Sequence, residues 1–280
     1  MGTGNSRKAF STSGFNILFN FKQRSDESLS EAIGRIDQNM LFEEYRRSKK
    51  IAPKRGENPK LEIFPSKHKG ILPSKDGDFE RHLEGALWNQ CLVGIMPQSH
   101  DGEFRLLDYQ FPLYEQQSDQ IGKVDLVGVS SGRGNFAVIE LKVTDEKGRV
   151  NDSPLSALIQ ALGYTAIIVE NMRFIKVAVA MKQKENQKDE RWNLPSIAEK
   201  PSIILLAPDN WWFENDRNND GNWKGKFKEL LNGIKENLGI ETHCFTLGDI
   251  SKVDIGWKTE MCGYKPEFHS VITFSDLHIR

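Results

Sequence analysis

Residues 122–143 constrain the fold more than any other part of the chain, because they have the pattern of a β-hairpin with charged residues in one register. Alternate strand residues point to opposite faces, so Glu140 and Lys142 share one face of the second strand. The turn-rich sequence SSGRGN, folded about its centre, places Asp125 of the first strand directly opposite Glu140. Like charges in this position repel unless a positive charge lies between them, which predicts a divalent-metal site.

The predicted ligands of this site are the carboxylates of Asp125 and Glu140, with the backbone carbonyl of Leu141 as a further oxygen donor. Lys142 lies on the same face and can approach developing negative charge or the attacking water. The arrangement suits phosphodiester hydrolysis with Mg²⁺ or Mn²⁺ as the cofactor. The alternative is a surface ion-pair cluster, worth about 0 to 1 kcal/mol and without a function.

Two helices flank the hairpin in the sequence. Downstream, a helix is predicted to start at Asp152 or Ser153, with Pro154 at its first position. Gln160 and Tyr164 are one turn apart on that helix and project from the same face. Either they are site residues or they form an incidental surface pair.

Upstream, the segment 78–92 has a helical stripe of apolar residues bordered by Glu80 and Glu84. Either glutamate can face the carboxylates of the hairpin. Glu84 is favoured as a further metal or water ligand because it lies deeper in the helix, and solvation of both glutamates is the alternative.

The order of these elements resembles the PD-(D/E)xK nuclease superfamily over residues 78–182. By this resemblance Asp125 takes the place of the motif's aspartate, Glu140 and Lys142 that of its (D/E)xK, and Glu84 that of the glutamate in the first core helix. Gln160 and Tyr164 match the QxxxY element of the RecB-like branch. Val124 stands where the motif has proline.

The resemblance implies a restriction-endonuclease-like α/β fold with an αβββαβ core, in which helices flank a mixed central sheet. It also implies Mg²⁺ or Mn²⁺ dependence and hydrolysis of nucleic-acid phosphodiesters, usually of DNA. Asp125 and Glu140 would hold metal, Lys142 would orient or help deprotonate water, and Gln160 and Tyr164 would position the backbone at the scissile phosphate or brace Lys142. A non-catalytic protein that binds nucleic acid or a partner on this fold is the alternative.

Two regions are predicted: residues 1–77 as an N-terminal helical and basic extension, and residues 78–280 as the nuclease-like domain. The net charge is −1, but residues 41–75 carry ten Lys or Arg against four Glu. This arm can follow a phosphodiester backbone or serve as a solvated linker. Before it, residues 28–50 are predicted to form one amphipathic helix with a capping signal near Ser28 or Ser30.

The remaining apolar segments predict further elements of an α/β layer. Strands are expected at 105–113, 173–181, 201–208 and 243–247, and a helix at about 224–238. Trp211, Trp212, Phe213 and Trp223 lie in an acidic segment, so core packing or a lid over the sheet edge is favoured over base stacking.

The chain of 280 residues, with 38% hydrophobic and 28% charged residues, can bury a full core. Three scattered cysteines, Cys91, Cys244 and Cys262, indicate a reducing compartment and exclude a four-cysteine iron–sulfur cluster within one chain. No apolar run approaches the roughly 20 residues that cross a bilayer. The expected protein is therefore a cytoplasmic metal-dependent nuclease that binds nucleic acid, with a homo-oligomer or a partner protein left open.

Overall fold

The computed structural model describes residues 10–54, 79–90, 103–113, 119, 121–145, 147–188, 190–248, 250, 255–260, 263–268 and 275–276. The helices within these ranges are α1 (Leu29–Gly34), α2 (Gln38–Ile51), α3 (Phe79–Gln90), α4 (Pro154–Glu185), α5 (Asp209–Arg217) and α6 (Trp223–Leu238), with a 3-10 turn at Glu190–Trp192. The strands are β1 (Phe104–Pro112), β2 (Lys123–Ser130), β3 (Phe136–Leu141), β4 (Ser202–Ala207), β5 (Glu241–Thr246), β6 (Ile255–Glu260), β7 (Gly263–Phe268) and β8 (Ser275–Asp276).

Six of these strands form a mixed sheet in the order β1-β2-β3-β4-β5-β8. Strands β1, β2 and β3 are antiparallel, and β3, β4 and β5 are parallel to one another. The connection from β3 to β4 passes through α4, because parallel neighbours need a crossover. The chain is thus a mixed α/β protein with a sheet flanked by helices. Strands β6 and β7 form a separate antiparallel pair next to α3.

The hairpin of β2 and β3 has the register that its turn sequence predicts. Leu126 pairs with Ile139, and Val129 pairs with Phe136. The turn is closed by the N–H of Gly134, which donates to the carbonyl of Ser130, and Gly134 itself has φ +72°. A residue without a side chain takes this left-handed conformation at little cost, which explains the glycine.

Two apolar layers cover the faces of the sheet. One contains α4 with α1, α2 and α6, and the other contains α3. Ser153 caps α4 with its side chain, which accepts the N–H of Ser156, and Pro154 occupies the first turn as predicted. Leu158 and Leu162 are fully buried against the sheet, and each such side chain contributes about 1.5–3 kcal/mol.

The predicted strand at 173–181 is wrong, because α4 continues to Glu185. Alternating β-branched residues suggested a strand, but Ile175 and Val179 are buried while Val177 and Met181 are exposed. Burial at positions four apart is a helical period, and no glycine or proline separates this segment from the preceding helix. The last strand of the αβββαβ order is therefore β4, so that order spans 79–207 and not 78–182.

The single helix predicted for residues 28–50 is also wrong, since two helices cover this region. Ser28 caps α1 in a capping box with Glu31, and Asp37 caps α2 by accepting the N–H of Met40. The capping aspartate Asp37 starts a second helix after the short break that follows Gly34. Phe10, Phe15 and Leu18 belong to the same core as α4.

The predicted elements near the end of the chain are largely confirmed. Strand β4 is fully buried, and α6 and β5 lie within a few residues of their expected bounds. Trp211, Trp212 and Trp223 are buried and hence unavailable for base stacking, whereas Phe213 is 63% exposed. Of the basic arm, residues 55–75 lie outside the described residues, as do Cys91 and Cys262.

Helix α4 is long and apolar enough to cross a membrane by length and composition alone. Its most apolar window is 78% buried inside the protein. A single helix of this kind is weak support for a membrane span, since core helices have the same composition.

Candidate metal centre

The site begins where β2 and β3 separate. Their pairing ends at Leu126 and Ile139, one residue before Asp125 and Glu140 would meet. Oδ2 of Asp125 instead accepts the backbone N–H of Leu141 at 2.9 Å. Asp125 is 7% exposed, so its carboxylate lies in the gap between the strands and satisfies a buried N–H.

Glu140 is the most deeply placed acid of the site, with no exposed surface. Its Oε1 lies 2.8 Å from Nζ of Lys142. Its Oε2 has no hydrogen-bond donor among the residues that the structure describes. A buried carboxylate oxygen without a donor costs several kcal/mol unless a cation completes its surroundings, so this atom marks a place where a positive charge fits.

Helix α3 brings two further acids to the same place. Glu80, Glu84 and Asp125 each offer one carboxylate oxygen, and these three atoms lie within 4.8 Å of one another. Glu84 is 1% exposed. The three can hold a metal ion, since oxygens around one hard divalent cation have this spacing. Glu140 lies outside that group of three.

Gln110 holds Glu84 in place and was missed by the sequence analysis. Its Nε2 donates to Oε2 of Glu84 at 2.7 Å. The residue has φ +50°, and a bulge lies just before it between Leu106 and Asp108. A left-handed glutamine costs on the order of 1 kcal/mol. This backbone conformation turns the edge strand so that an amide reaches the acid cluster.

Burial and mutual repulsion raise the pKa values of the carboxyls. Burial is the largest cause for Glu84, and the charge of Asp125 adds to it. Burial also raises the pKa of Asp125, against the opposing effect of Lys142 and of the Leu141 N–H. The pKa of Glu140 is raised by burial and by Asp125. Lys142 places one positive charge beside these carboxyls. A bound metal cation would add more positive charge and so favour their ionised forms.

Lys142 remains a cation in this setting. Burial lowers its pKa, but Glu140 and Asp125 outweigh burial and the pKa rises. The ammonium also lies 3.6 Å from Oδ2 of Asp152, which is half exposed. Lys142 therefore connects the buried acids to the surface, and it suits stabilisation of negative charge better than removal of a proton.

Gln160 and Tyr164 lie side by side on α4, as their spacing predicts. Nε2 of Gln160 donates to the Tyr164 hydroxyl at 3.1 Å. Burial and the charge of Glu140 raise the pKa of Tyr164, so the phenol stays protonated and can donate. Gly122 faces this hydroxyl, and a Cβ at that position would be 2.6 Å from it.

The structure thus gathers the predicted residues Glu84, Asp125, Glu140 and Lys142, and it adds Glu80, which the sequence ranked below Glu84. The acid cluster fits a metal ion by its donor set, by its spacing and by Oε2 of Glu140, which has no donor in the part of the chain that the structure describes. For Leu141 the contact with the site is through its N–H, and coordination by its carbonyl stays a prediction.

Comparison of the chain with protein-family models, with curated proteins and with solved structures finds no match.

Proposed function

We propose that this protein is a metal-dependent nuclease that hydrolyses phosphodiester bonds of nucleic acid, with DNA as its substrate and Mg²⁺ or Mn²⁺ as its cofactor. The observation that carries the proposal is Glu140, a fully buried acid with one oxygen paired to Lys142 and the other without a donor among the described residues. An acid that only paired with a lysine would not need three further carboxylates beside it. The resemblance to the PD-(D/E)xK superfamily agrees with this arrangement.

In the proposed mechanism Asp125 would hold the cation together with Glu84 and Glu80 of α3, and Glu140 would add its carboxylate beside them. A hard divalent cation, when bound, polarises a phosphoryl oxygen and lowers the pKa of bound water. Leu141 keeps the Asp125 carboxylate in a fixed orientation through its N–H. Fixed ligands reduce the reorganisation that the reaction would otherwise require.

The other residues act on the substrate. Lys142 places a positive charge next to the phosphate, where negative charge builds up as water attacks. Gln160 and Tyr164 donate hydrogen bonds to phosphate oxygens, which orients the bond for in-line attack.

A cleavage assay tests the proposal. Linear duplex, covalently closed circular DNA, single-stranded DNA and RNA are incubated with Mg²⁺, Mn²⁺ or EDTA, and wild type is compared with Asp125→Ala and with the exposed-residue control Glu229→Ala. We expect metal-dependent cutting in wild type and control, and none with Asp125→Ala. Equal cutting by folded Asp125→Ala would refute the assignment. Metal-independent binding without cutting would favour the non-catalytic alternative.

A further inference from the structure

The N-terminal segment (residues 10–27) is fixed against the first half of α4. The Glu44 carboxylate accepts three backbone N–H groups, from Asn16, Ile17 and Leu18, at 2.6, 2.9 and 2.8 Å. A Cβ on Gly163 of α4 would be 2.6 Å from the ring of Phe19. The close approach of the Phe19 ring to Gly163 and the three charge-assisted hydrogen bonds indicate that the segment packs specifically on the fold.

This segment forms one wall of a cleft of about 770 Å³ whose opposite wall is the start of α4. Gln160, Tyr164 and Asp152 line the cleft, and so do Lys22 and Arg24 of the N-terminal segment. Since Asp152 is 3.6 Å from Lys142, the cleft lies next to the candidate metal centre.

The cations of this cleft are available for a ligand. Lys22 and Arg24 are exposed, and neither has an ion-pair partner within 4 Å in the described part of the chain. The acids of the lining are engaged: Glu27 binds Arg35 at 2.6 Å, and Asp152 lies near Lys142.

The backbone of both basic residues holds the loop, and the charge of Arg24 adds an electrostatic attraction to Glu27. The N–H of Arg24 donates to Glu27, and the carbonyl of Lys22 accepts from Arg35. Neither side chain makes a hydrogen bond or an ion pair with the residues that the structure describes, so removal of both should leave the loop in place.

The size of the cleft limits what enters it. Pockets of about 300–1,000 Å³ hold one small organic ligand, so a cleft of 770 Å³ holds one or two nucleotides. A cleft that one or two nucleotides fill has no room for a second strand beside them, so a duplex would enter only after its strands separate. The phosphate must nevertheless reach Gln160 and Tyr164 inside the cleft.

We propose that this cleft accepts one strand of nucleic acid and excludes an intact duplex, and that Lys22 and Arg24 bind the phosphate groups that neighbour the one to be cut. The inference rests on the proposed nuclease function, because it assigns the substrate form for the same site. The N-terminal segment then belongs to the substrate-binding machinery.

Fluorescence anisotropy in EDTA tests the inference without catalysis. The probes are a labelled single-stranded oligodeoxynucleotide and the blunt duplex of the same length. Wild type is compared with Lys22→Ala/Arg24→Ala and with the control Lys184→Ala/Lys188→Ala, which removes two exposed lysines from the far end of α4 and just beyond it. The helix of 32 residues spans about 48 Å, so the control lies far from the cleft.

We expect wild type and control to bind the single strand at least about tenfold more tightly than the duplex. Lys22→Ala/Arg24→Ala should lose at least about tenfold in affinity for the single strand, and its plot of log affinity against log salt should become shallower by about 1.4. Equal affinity for both probes, absence of binding by wild type, or equal losses in both variants would overturn the inference.

The two proposals fail separately. One outcome is metal-dependent cutting of intact closed-circular duplex together with single-strand binding that Lys22→Ala/Arg24→Ala leaves unchanged. That outcome would refute the cleft inference and support the nuclease function. The opposite outcome is single-strand binding that depends on Lys22 and Arg24 without any metal-dependent cutting. It would refute the nuclease function and support the cleft as a binding site.

Discussion

The carboxylate of Asp125 accepts a hydrogen bond from the backbone N–H of Leu141, 2.9 Å away on the neighbouring strand. This bond crosses the gap that opens after Leu126 and Ile139, where β2 and β3 stop pairing. Asp125 thus has two tasks: it satisfies a buried N–H, and it contributes negative charge to the acid cluster. A substitution that keeps the hydrogen-bond acceptor and removes the charge distinguishes these two contributions.

Asp125→Asn should retain stability and lose metal binding. The asparagine oxygen can still accept the Leu141 N–H, whereas Asp125→Ala leaves that buried donor unsatisfied at a cost of about 1–3 kcal/mol. In urea unfolding without metal, the free energy of unfolding of Asp125→Asn should equal or exceed that of wild type, and that of Asp125→Ala should be lower. Calorimetry with Mn²⁺ should show binding by wild type alone. An Asn variant as unstable as the Ala variant would show that the hydrogen bond is not what holds the two strands.

The metal-free protein should lose stability from its acid cluster as pH rises. The folded-state pKa values of Glu84, Asp125 and Glu140 are raised, above unfolded values near 4. The folded state therefore binds more protons than the unfolded state from about pH 4 up to the raised pKa values, and unfolding free energy contributed by these groups falls across that range.

Glu84→Gln isolates this effect. We expect it to stabilise the metal-free protein at pH 8 by about 1 kcal/mol or more and to change little at pH 5, measured by urea unfolding in EDTA. Glu229→Gln, on the exposed face of α6, is the control and should follow wild type. A benefit of Glu84→Gln that is the same at both pH values would contradict the role of charge.

Substitution of Lys142 should show how much stability the protein loses when Glu140 is left buried without its cation. Lys142→Met leaves Glu140 without its cation and should cost about 3 kcal/mol at pH 8. Lys142→Met/Glu140→Gln should recover about half of this loss, because the buried charge is gone. Lys176→Met removes a lysine that pairs with exposed Glu199 and should cost less than about 1 kcal/mol. No recovery in the double variant would mean that packing and not charge sets the loss.

The register of the hairpin was predictable because its pattern is local, although pairing stops before Asp125 and Glu140, which were expected to face each other directly. Period-2 alternation and the turn sequence define the register, and the structure pairs Leu126 with Ile139 accordingly. Spacing on one helix likewise placed Gln160 beside Tyr164. These relationships depend on residues close in sequence, where backbone geometry leaves few options.

The remaining features depend on tertiary contacts that local patterns do not report. Gln110 reaches Glu84 only because of its left-handed backbone and the preceding bulge. The segment 173–181 has strand-like residues, but packing continues the helix. Phe10 and Phe15 gave no functional signal, although their segment forms a wall of the cleft. Long-range packing overrides intrinsic propensity in such cases.

Gly122→Ala should impair catalysis with little effect on metal binding. A Cβ at this position would be 2.6 Å from the Tyr164 hydroxyl, so the phenol must shift from its present place beside Gln160. We expect a loss of about tenfold or more in cleavage rate, with Mn²⁺ affinity within about twofold of wild type. Gly225→Ala, on α6 with nothing within 4 Å, is the control and should stabilise by about 1 kcal/mol. Unchanged cleavage by Gly122→Ala would dismiss Tyr164 as a positioning residue.

Glu44→Gln should release the N-terminal segment. The carboxylate accepts three N–H groups, from Asn16, Ile17 and Leu18, and an amide would place its own N–H donors against at least one of them. We expect a stability loss of about 2 kcal/mol and faster tryptic cleavage after Lys22 and Arg24. Glu43→Gln, exposed on the same helix, should behave as wild type. Equal cleavage rates in both variants would mean that Phe19 and Gly163 hold the segment without Glu44.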